Sequence, residues 1–361
     1  MRLLVEAGHD AVGVEDGVIV EPSGDFDIVL RVRDGELRPG LINAHDHLHR
    51  NHYGRLGHPP YANAYDWGHD IHQRDGARIA NGRAMERREA LLAGAWKNLR
   101  AGVTTVVHHD AWEPGFDAGF PLRVAPIHNA HSLGFEPSLA DAPIDRPFAI
   151  HLAEGRDTRS ANEVRELEER GLLNARLLAV HMCGVDADGI SRFRRSGAAL
   201  VWCPTSNQFL FECAVPAALL APGVDVLLGS DSLLTGAGSL LDELRYARSL
   251  DLVSDDRLAD AAGVVPARRL GLESPSLEPG ARADLVVLRR PLLEANEADV
   301  AVVICGGELR VLDPMLQPAL GTFRHRGRVV ARQGVARWES TYSSLGRRGR
   351  HRTSACRRAA W

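Results

Sequence analysis

The most informative stretch of the chain runs Pro39-Gly40-Leu41-Ile42-Asn43-Ala44-His45-Asp46-His47. A Pro-Gly turn leads into a short apolar run that ends in His-x-His. Side chains at i and i+2 of a strand lie on one face, so a strand over 41–47 places His45 and His47 side by side. Two imidazoles on a rigid strand end make half of a metal site. The alternative is that two histidines fall together by chance in a histidine-rich region.

The composition is that of a globular protein. Hydrophobic residues make up 45% of the 361 residues and charged residues 25%. A formal net charge of −4 argues against a nucleic-acid-binding surface. We expect no membrane span and no secretory signal, because charged residues interrupt every apolar stretch. Five scattered cysteines without a CxxC pair favour reduced thiols and a cytoplasmic location.

Strands and helices alternate through the middle of the chain. A helical pattern over 85–100 ends at Gly102, and a β-branched run follows it. Such alternation predicts a parallel sheet, and polar residues at strand ends are typical of a (β/α) barrel. The sequence predicts seven strands, which leave one barrel unit shortened or missing between positions 110 and 148. The predicted strands are 41–45, 103–107, 122–127, 148–151, 177–181, 198–202 and 224–229.

The two chain ends have a different pattern. Short strands at 11–14, 18–20 and 28–32 and a β-rich region over 276–338 are too small to bury separate cores. We therefore expect an α/β protein in which residues 39–275 form a TIM-like barrel. Residues 1–38 and 276–338 combine into one small β-sandwich, and the Arg-rich tail 339–361 is disordered. Residues 48–83 lack periodicity and are expected to form loops over the mouth of a pocket.

Polar residues follow the predicted strands at the end where barrels bind ligands. Each has an ordinary alternative: a core histidine, a turn-capping aspartate or a first-turn glutamate. Their occurrence together is better explained by a metal site, with zinc preferred and iron as the other candidate. The residues are His45, His47, His151, Glu154, His181 and Asp231.

This set predicts hydrolytic chemistry. A divalent ion with an open position lowers the pKa of a bound water to about 7 and supplies hydroxide at neutral pH. Glu154, three residues after His151, can take the water proton and return it to the leaving group. Either His181 or Asp231 can orient the hydroxide or polarise the bond under attack.

Several strings together resemble the amidohydrolase superfamily, and within it the metal-dependent deaminase/chlorohydrolase group, which includes cytosine and guanine deaminases and triazine hydrolases. The strings are 39–47, Ala101-Gly102-Val103-Thr104-Thr105, His151-Leu152-Ala153-Glu154, Cys203-Pro204-Thr205-Ser206-Asn207, Gly229-Ser230-Asp231-Ser232 and Leu277-Glu278-Pro279-Gly280-Ala281-Arg282-Ala283-Asp284-Leu285-Val286. The likeness covers roughly residues 28–290.

The resemblance implies a role for each residue. One divalent metal is bound by four ligands: His45, His47, His151 and Asp231. Glu154 is the proton shuttle, and His181 hydrogen-bonds the water or the substrate. No lysine lies within 103–150, so the bridging carbamylated lysine of two-metal relatives has no candidate.

Substrate contacts are expected from His131, which begins a His-Ser pair typical of these deaminases, and from Asn207. Trp67, His69 and His72 in the long connection are further candidates, with surface or packing roles as the alternative.

The predicted function is hydrolysis of a non-peptide C–N bond in a small heterocycle, by deamination or by opening of a cyclic amide or amidine, with metal hydroxide as nucleophile. Two alternatives stay open: a ring-opening hydrolase like imidazolonepropionase, and a non-catalytic metal-binding barrel. The predicted partner is a small-molecule substrate, without nucleic acid or membrane. Association of copies into a homo-oligomer is left open.

Overall fold

The computed structural model describes residues 1–116, 119–136, 139, 146–332 and 335–340, of which 322–332, 335, 336, 338 and 340 are described by their backbone alone. Glu339 and Ser340, which the sequence analysis assigns to a disordered tail, belong instead to the last strand. Residues 341–361 lie outside the described part.

The central segment contains strands that pair in parallel. They are β6 Leu41–Asp46, β7 Val103–His108, β8 Arg123–Val124, β9 His128–Ser132, β10 Phe148–Leu152, β11 Leu177–His181, β12 Ala199–Trp202 and β13 Val226–Leu228. One sheet has the order β6-β7-β8 and another the order β13-β12-β11-β10-β9. The predicted α/β class with parallel strands is thereby confirmed.

The predicted third strand, 122–127, contains only β8, and a further strand that the sequence does not predict, β9, begins after three intervening residues. Strand β8 pairs with β7, and the backbone of Ala125 also donates to Val106. Strand β9 pairs with β10, with His128 opposite Phe148. Residues 123–132 therefore pair first with β7 and then with β10, without a helix between the two pairings. This is the place where the sequence predicts a shortened barrel unit.

The outer strands at the two sheet edges, β6 and β13, lie next to each other. The amide of Asp231, just after β13, donates to the carbonyl of His45 at 3.0 Å. Small apolar side chains on several of the parallel strands, such as Ala44 of β6, Ala149 of β10 and Ala199 of β12, share one buried cluster. The carboxyl ends of the parallel strands consequently meet at one place.

Helices cover the strands or follow the long connection. They are α1 Ala64–Arg74, α2 Gly76–Arg83, α3 Arg87–Arg100, α4 Thr158–Glu169, α5 Ala187–Ser196, α6 Pro204–Phe211, α7 Leu240–Ser249, α8 Asp255–Asp260 and α9 Val264–Arg269. Short 3-10 segments lie at Leu48–Arg50, Pro114–Phe116, Ala217–Leu219, Glu297–Asp299 and Pro314–Arg326.

The expectation of an irregular connection over 48–83 is wrong for its second half, which forms α1 and α2. Asn63 caps α1 by accepting from the Asp66 amide at 2.9 Å. Each helix buries one isoleucine, Ile71 or Ile79, and leaves most other positions partly or fully exposed. Because so little of either helix is apolar, the sequence shows no helical periodicity there.

Strands from both chain ends form two further sheets. The N-terminal strands are β1 Leu3–Ala7, β2 Asp10–Glu15, β3 Val18–Val20, β4 Ile28–Val32 and β5 Glu36–Pro39; the C-terminal strands are β14 Leu285–Leu288, β15 Val300–Cys305, β16 Glu308–Leu312, β17 Gly327–Arg332 and β18 Val335–Ser340. The sheet orders are β3-β2-β1-β4 and β17-β18-β16-β15-β14-β5.

The N-terminal strand β5 joins the C-terminal sheet, where it pairs antiparallel with β14. One apolar cluster contains Val5 and Leu30 of one sheet and Val287 and Ile304 of the other. The sequence does not predict β1 or β5, and β5 acquires its partner about 250 residues away. Among the described helices, none is long and apolar enough to cross a membrane.

Candidate metal centre

The backbone is strained at the strand ends where the predicted site residues lie. Ala153 and Asp231 have φ of 49° and 51°, and His181 and Met182 have φ of 74° and 53°. Non-glycine residues adopt this left-handed region at a cost of about 1–2 kcal/mol each. Such strain concentrates at functional sites, where the surrounding structure maintains it. Here it turns the chain sharply after β10, β11 and β13.

The four predicted metal ligands converge. His47 Nε2 lies 3.4 Å from His151 Nε2, and Asp231 Oδ1 lies 3.7 Å from His45 Nε2 and 3.9 Å from His47 Nε2. Zinc–nitrogen bonds of about 2.0–2.1 Å separate the ligand atoms of a tetrahedral ion by about 3.3 Å. The observed spacings are close to that value, and the four side chains are buried.

Unpartnered atoms support a metal at this position. His45 Nε2 and His181 Nε2 are buried and have no hydrogen-bond partner. His45, His151 and His181 also form a triad whose ligand nitrogens lie within 4.8 Å of one another. Buried polar atoms rarely go unsatisfied, so these nitrogens fit a bound divalent ion or a water beside it.

Oxygen acceptors fix three of the imidazoles. The Nδ1 atom of His47 lies 2.8 Å from Asp110 Oδ2, that of His151 lies 2.6 Å from the His131 carbonyl, and that of His181 lies 2.9 Å from Asn207 Oδ1. Each acceptor requires a proton on Nδ1, which leaves the Nε2 lone pair free. This pattern is typical of metal-binding histidines.

Asp231 is held with one oxygen turned toward the histidines. Its Oδ2 accepts from Ser206 Oγ at 2.9 Å and from Thr235 Oγ1 at 2.7 Å. Its Oδ1 faces His45 and His47 and also accepts from the amide of Ser232 at 2.7 Å. The carboxylate therefore has a defined orientation before any ion binds.

Burial sets the protonation states. It lowers the pKa of His47 and His151 well below the usual value, so both rings are neutral and able to bind metal at pH 7. Burial, together with the charges of Asp231 and Glu163, raises the pKa of Glu154 well above its usual value. A carboxyl with a raised pKa can act as a proton donor near neutral pH.

Glu154 and His181 face each other, with Glu154 Oε1 at 3.5 Å from His181 Nε2. The turn that carries Glu154 is anchored by Glu163 on α4, which accepts from the Ala153 amide at 2.8 Å. Glu163 also accepts from the Tyr65 hydroxyl at 2.6 Å. The sequence does not predict these two contacts.

A cavity of about 810 Å³ opens onto this cluster. His131, Trp67 and His72 contribute to its wall, as expected, whereas His69 does not. Asn207 is fully buried behind His181 and is also absent from the wall. Its position departs from the predicted substrate contact, because its side chain is bonded to the His181 ring.

Sequence reasoning also missed Asp110 and His109. Both follow β7 directly, so the strand-end rule applied to the other strands would have found them. The His109 ring is buried and lies 4.2 Å from the His151 ring between centroids. Described cysteines (Cys183, Cys203, Cys213 and Cys305) are free thiols, whereas Cys356 lies outside the described residues.

Known proteins share these features. Residues 140–310 match the model of the amidohydrolase family. A 5-methylthioadenosine/S-adenosylhomocysteine deaminase of Pyrococcus furiosus is 31% identical over 202 residues, 46% of this chain and 47% of that protein. An aminodeoxyfutalosine deaminase of Deinococcus radiodurans is 41% identical over 122 residues, 32% of this chain and 29% of that protein. The chain thus spans about half or less of these relatives.

A solved structure extends the likeness in fold. An adenosine deaminase from Xanthomonas campestris with bound zinc superposes with a TM-score of 0.66 and 20% identity, covering 90% of this chain and 97% of that one. At this identity the likeness concerns the fold alone. The family match, which spans just under half of the chain, agrees with the motifs at the strand ends, and over residues 140–310 the chain is similar to the amidohydrolase family.

Proposed function

We propose that the protein is a metal-dependent deaminase of an amino-substituted heterocycle, most nearly of the adenosine type. The observation that carries the proposal is the convergence of His45, His47, His151 and Asp231 beside Glu154 and His181, at spacings that suit one divalent ion. Zinc is the preferred ion and iron the alternative. The two relatives, a 5-methylthioadenosine/S-adenosylhomocysteine deaminase and an aminodeoxyfutalosine deaminase, support the substrate class.

The chain's own residues divide the work. A bound divalent ion supplies Lewis acidity that makes a water nucleophilic at neutral pH. Glu154 accepts a proton from the attacking water and delivers a proton to the amino group that leaves the ring. The His181 Nε2 atom accepts a hydrogen bond from the attacking water or from the substrate, and Asn207 fixes the orientation of that ring by accepting from its Nδ1–H. Asn207 is thus a positioning residue in this proposal.

The cavity favours a substrate larger than a bare base. Its volume of about 810 Å³ is within the range of pockets for nucleoside-sized ligands. Trp67 and His131 line it between the metal ligands and the connection helices. We propose both as substrate contacts, with the heterocycle at the histidine cluster and the remainder of the substrate toward α1 and α2.

We further propose that residues 39–275 close into one barrel and that residues 1–38 and 276–338 form a single β-sandwich. The hydrogen bond between the Asp231 amide and the His45 carbonyl supports closure, and the pairing of β5 with β14 supports the sandwich. A cytoplasmic location and the oligomeric state stay predictions.

Ammonia release tests the function. The zinc-loaded protein is incubated with 5′-methylthioadenosine, 5′-deoxyadenosine, adenosine, guanine and cytosine, beside the Glu154→Gln variant. We expect ammonia from at least one adenosine-type compound and a loss of at least a hundredfold in the variant. Loss of a cyclic substrate without ammonia indicates the ring-opening alternative. No turnover by a zinc-loaded, folded protein across the panel contradicts a deaminase of this class.

A further inference from the structure

Lys97 is the only lysine in the 361 residues, in a chain with 42 arginines. It lies on α3 and is 8% exposed, so it is not one of the solvated surface cations of the protein. Every other long cationic side chain of this protein is an arginine. The presence of one buried lysine therefore needs a specific geometric explanation.

The side chain connects two strand ends that carry metal ligands. Its Nζ lies 3.1 Å from Oδ2 of Asp46, the fully buried residue between His45 and His47. The same Nζ donates to the backbone carbonyl of Asp231 at 2.8 Å. One ammonium group therefore binds the end of β6 and the residue that follows β13.

The surroundings of Asp46 are closed and polar. Its carboxylate also accepts from Asn98 Nδ2 at 2.7 Å and from Asn51 Nδ2 at 2.8 Å. Ser230 Oγ lies 3.4 Å from it. These donors are neutral, and within the described part of the chain Lys97 supplies the cation in direct contact with this buried carboxylate. A buried carboxylate without such a partner is strongly unfavourable.

The shape of the ammonium group explains why arginine does not replace it. Three donors radiate from a single nitrogen, which lets one atom bridge a carboxylate and a carbonyl in different planes. A guanidinium is planar and larger, and the amides of Asn98 and Asn51 already occupy Asp46. Enlarging a filled, buried site displaces the neighbouring backbone.

We propose that Lys97 is a positioning residue of the metal centre: it ties the ends of β6 and β13 together so that His45, His47 and Asp231 converge on one ion. This inference rests on the proposed function in taking that ion as the catalytic one. Lys97 itself does not line the cavity or contact the ligand atoms of the histidines.

The test compares Lys97→Met with Arg100→Met. Arg100 lies one turn further along α3, is 5% exposed and pairs with the buried Glu339 in the C-terminal sheet. Both substitutions therefore break a buried ion pair of the same helix, but only one pair contacts the metal centre. The dissociation constant for Zn²⁺ is measured for the full-length proteins by competition with a chromophoric chelator, at a temperature where circular dichroism shows all of them folded.

We expect Lys97→Met to raise the zinc dissociation constant by 10- to 100-fold, as loss of a residue that orients metal ligands does. The zinc dissociation constant of Arg100→Met should stay within about threefold of the wild-type value, even if the Tm of this variant falls by as much as that of Lys97→Met. The absorption bands of the Co²⁺-loaded protein should change in Lys97→Met and not in Arg100→Met. Equal zinc affinity in the two variants overturns the proposal.

If Lys97→Met does not fold, the double variant Asp46→Asn/Lys97→Met removes the unpaired buried charge. We expect it to fold and still to bind zinc at least tenfold more weakly than Asp46→Asn, because the Asp231 carbonyl has lost its donor. Zinc affinity equal to that of Asp46→Asn overturns the proposal. A wild type that binds zinc tightly without deaminating any compound contradicts the proposed function and leaves the role of Lys97 standing.

Discussion

Individual side chains at the candidate metal centre divide into those that face the proposed ion position and those that orient these ligands. His47 shows both sides of this division, since its Nε2 faces His151 and Asp231 while its Nδ1 is bound to Asp110. The two kinds of residue should respond differently to substitution.

Asp231→Asn and Glu154→Gln separate metal binding from proton transfer. In the proposed centre Asp231 is the anionic ligand, so its amide variant should retain less than half of the metal of the wild type. Glu154 lies beside His181, 3.5 Å away, and its variant should keep about one equivalent while losing activity. Metal content of proteins purified without chelators is measured by mass spectrometry. Full metal in Asp231→Asn would exclude it as a ligand, and two equivalents in the wild type would contradict a mononuclear centre.

Asp110→Asn tests the acceptor behind His47. The amide removes the charge that favours the Nδ1–H form of the ring, and zinc affinity should fall by about 10-fold or more. The measurement is chelator competition at pH 7.5. Asp188→Asn, an exposed carboxylate paired with Arg192 on α5, is the control and should have no effect. Unchanged affinity in Asp110→Asn would mean that the ring is held by packing alone.

At the scale of elements, caps connect the helices of the connection to the barrel segment. Asp157 caps α4 by accepting from the Ser160 amide at 2.9 Å, and its other oxygen accepts from Asn63 Nδ2 at 2.7 Å. Asn63 in turn caps α1. The position of α1, and with it of Trp67, therefore depends on a residue at the start of α4.

Asp157→Ala should both destabilise the protein and loosen α1. Loss of an N-cap costs about 1 kcal/mol of unfolding free energy. Asp186→Ala, which removes the cap that accepts from the Gly189 amide at the start of α5, is the matched control. Hydrogen exchange should accelerate over 64–74 only in Asp157→Ala. The same exchange profile in both variants would show that α1 is held independently of Asp157.

At the scale of the whole molecule, the pH dependence of unfolding reflects carboxyl groups that folding buries. Glu243 is fully buried; burial raises its pKa to about 8, against the hydrogen bonds from the amide and hydroxyl of Thr205, which lower it. An unfolded glutamate has a pKa of about 4.3. Between these values the folded chain keeps a proton that the unfolded chain has released, so stability falls as pH rises.

Glu243→Gln should remove this contribution. The free energy of unfolding of the variant, relative to the wild type, should increase by roughly 1 kcal/mol for each pH unit from about 5.5 to 7.5. Urea unfolding at several pH values measures the difference. A difference that stays constant over this range would show that Glu243 is ionised in the folded protein, with Lys97 as one nearby cation that favours its charge.

Local patterns predicted the parts of the fold that depend on neighbouring residues. The apolar runs of β6, β7, β10, β11 and β12 were recognisable because a buried parallel strand is apolar along its whole length. The six site residues were recognisable because each lies at the end of a predicted strand or within three residues after it. The helices α1 and α2 were not, since they bury too few side chains to produce a periodic pattern.

By itself, the sequence determined the strand ends and the chemical types placed there: His45, His47, His151, Glu154, His181 and Asp231. The tertiary structure alone decided which distant groups support them, namely Asp110 behind His47, Asn207 behind His181 and Lys97 between Asp46 and Asp231. It also decided that β5 pairs with β14. These contacts join residues between 26 and about 250 positions apart. Such pairs form only when the folded chain packs together, so no local sequence pattern predicts them.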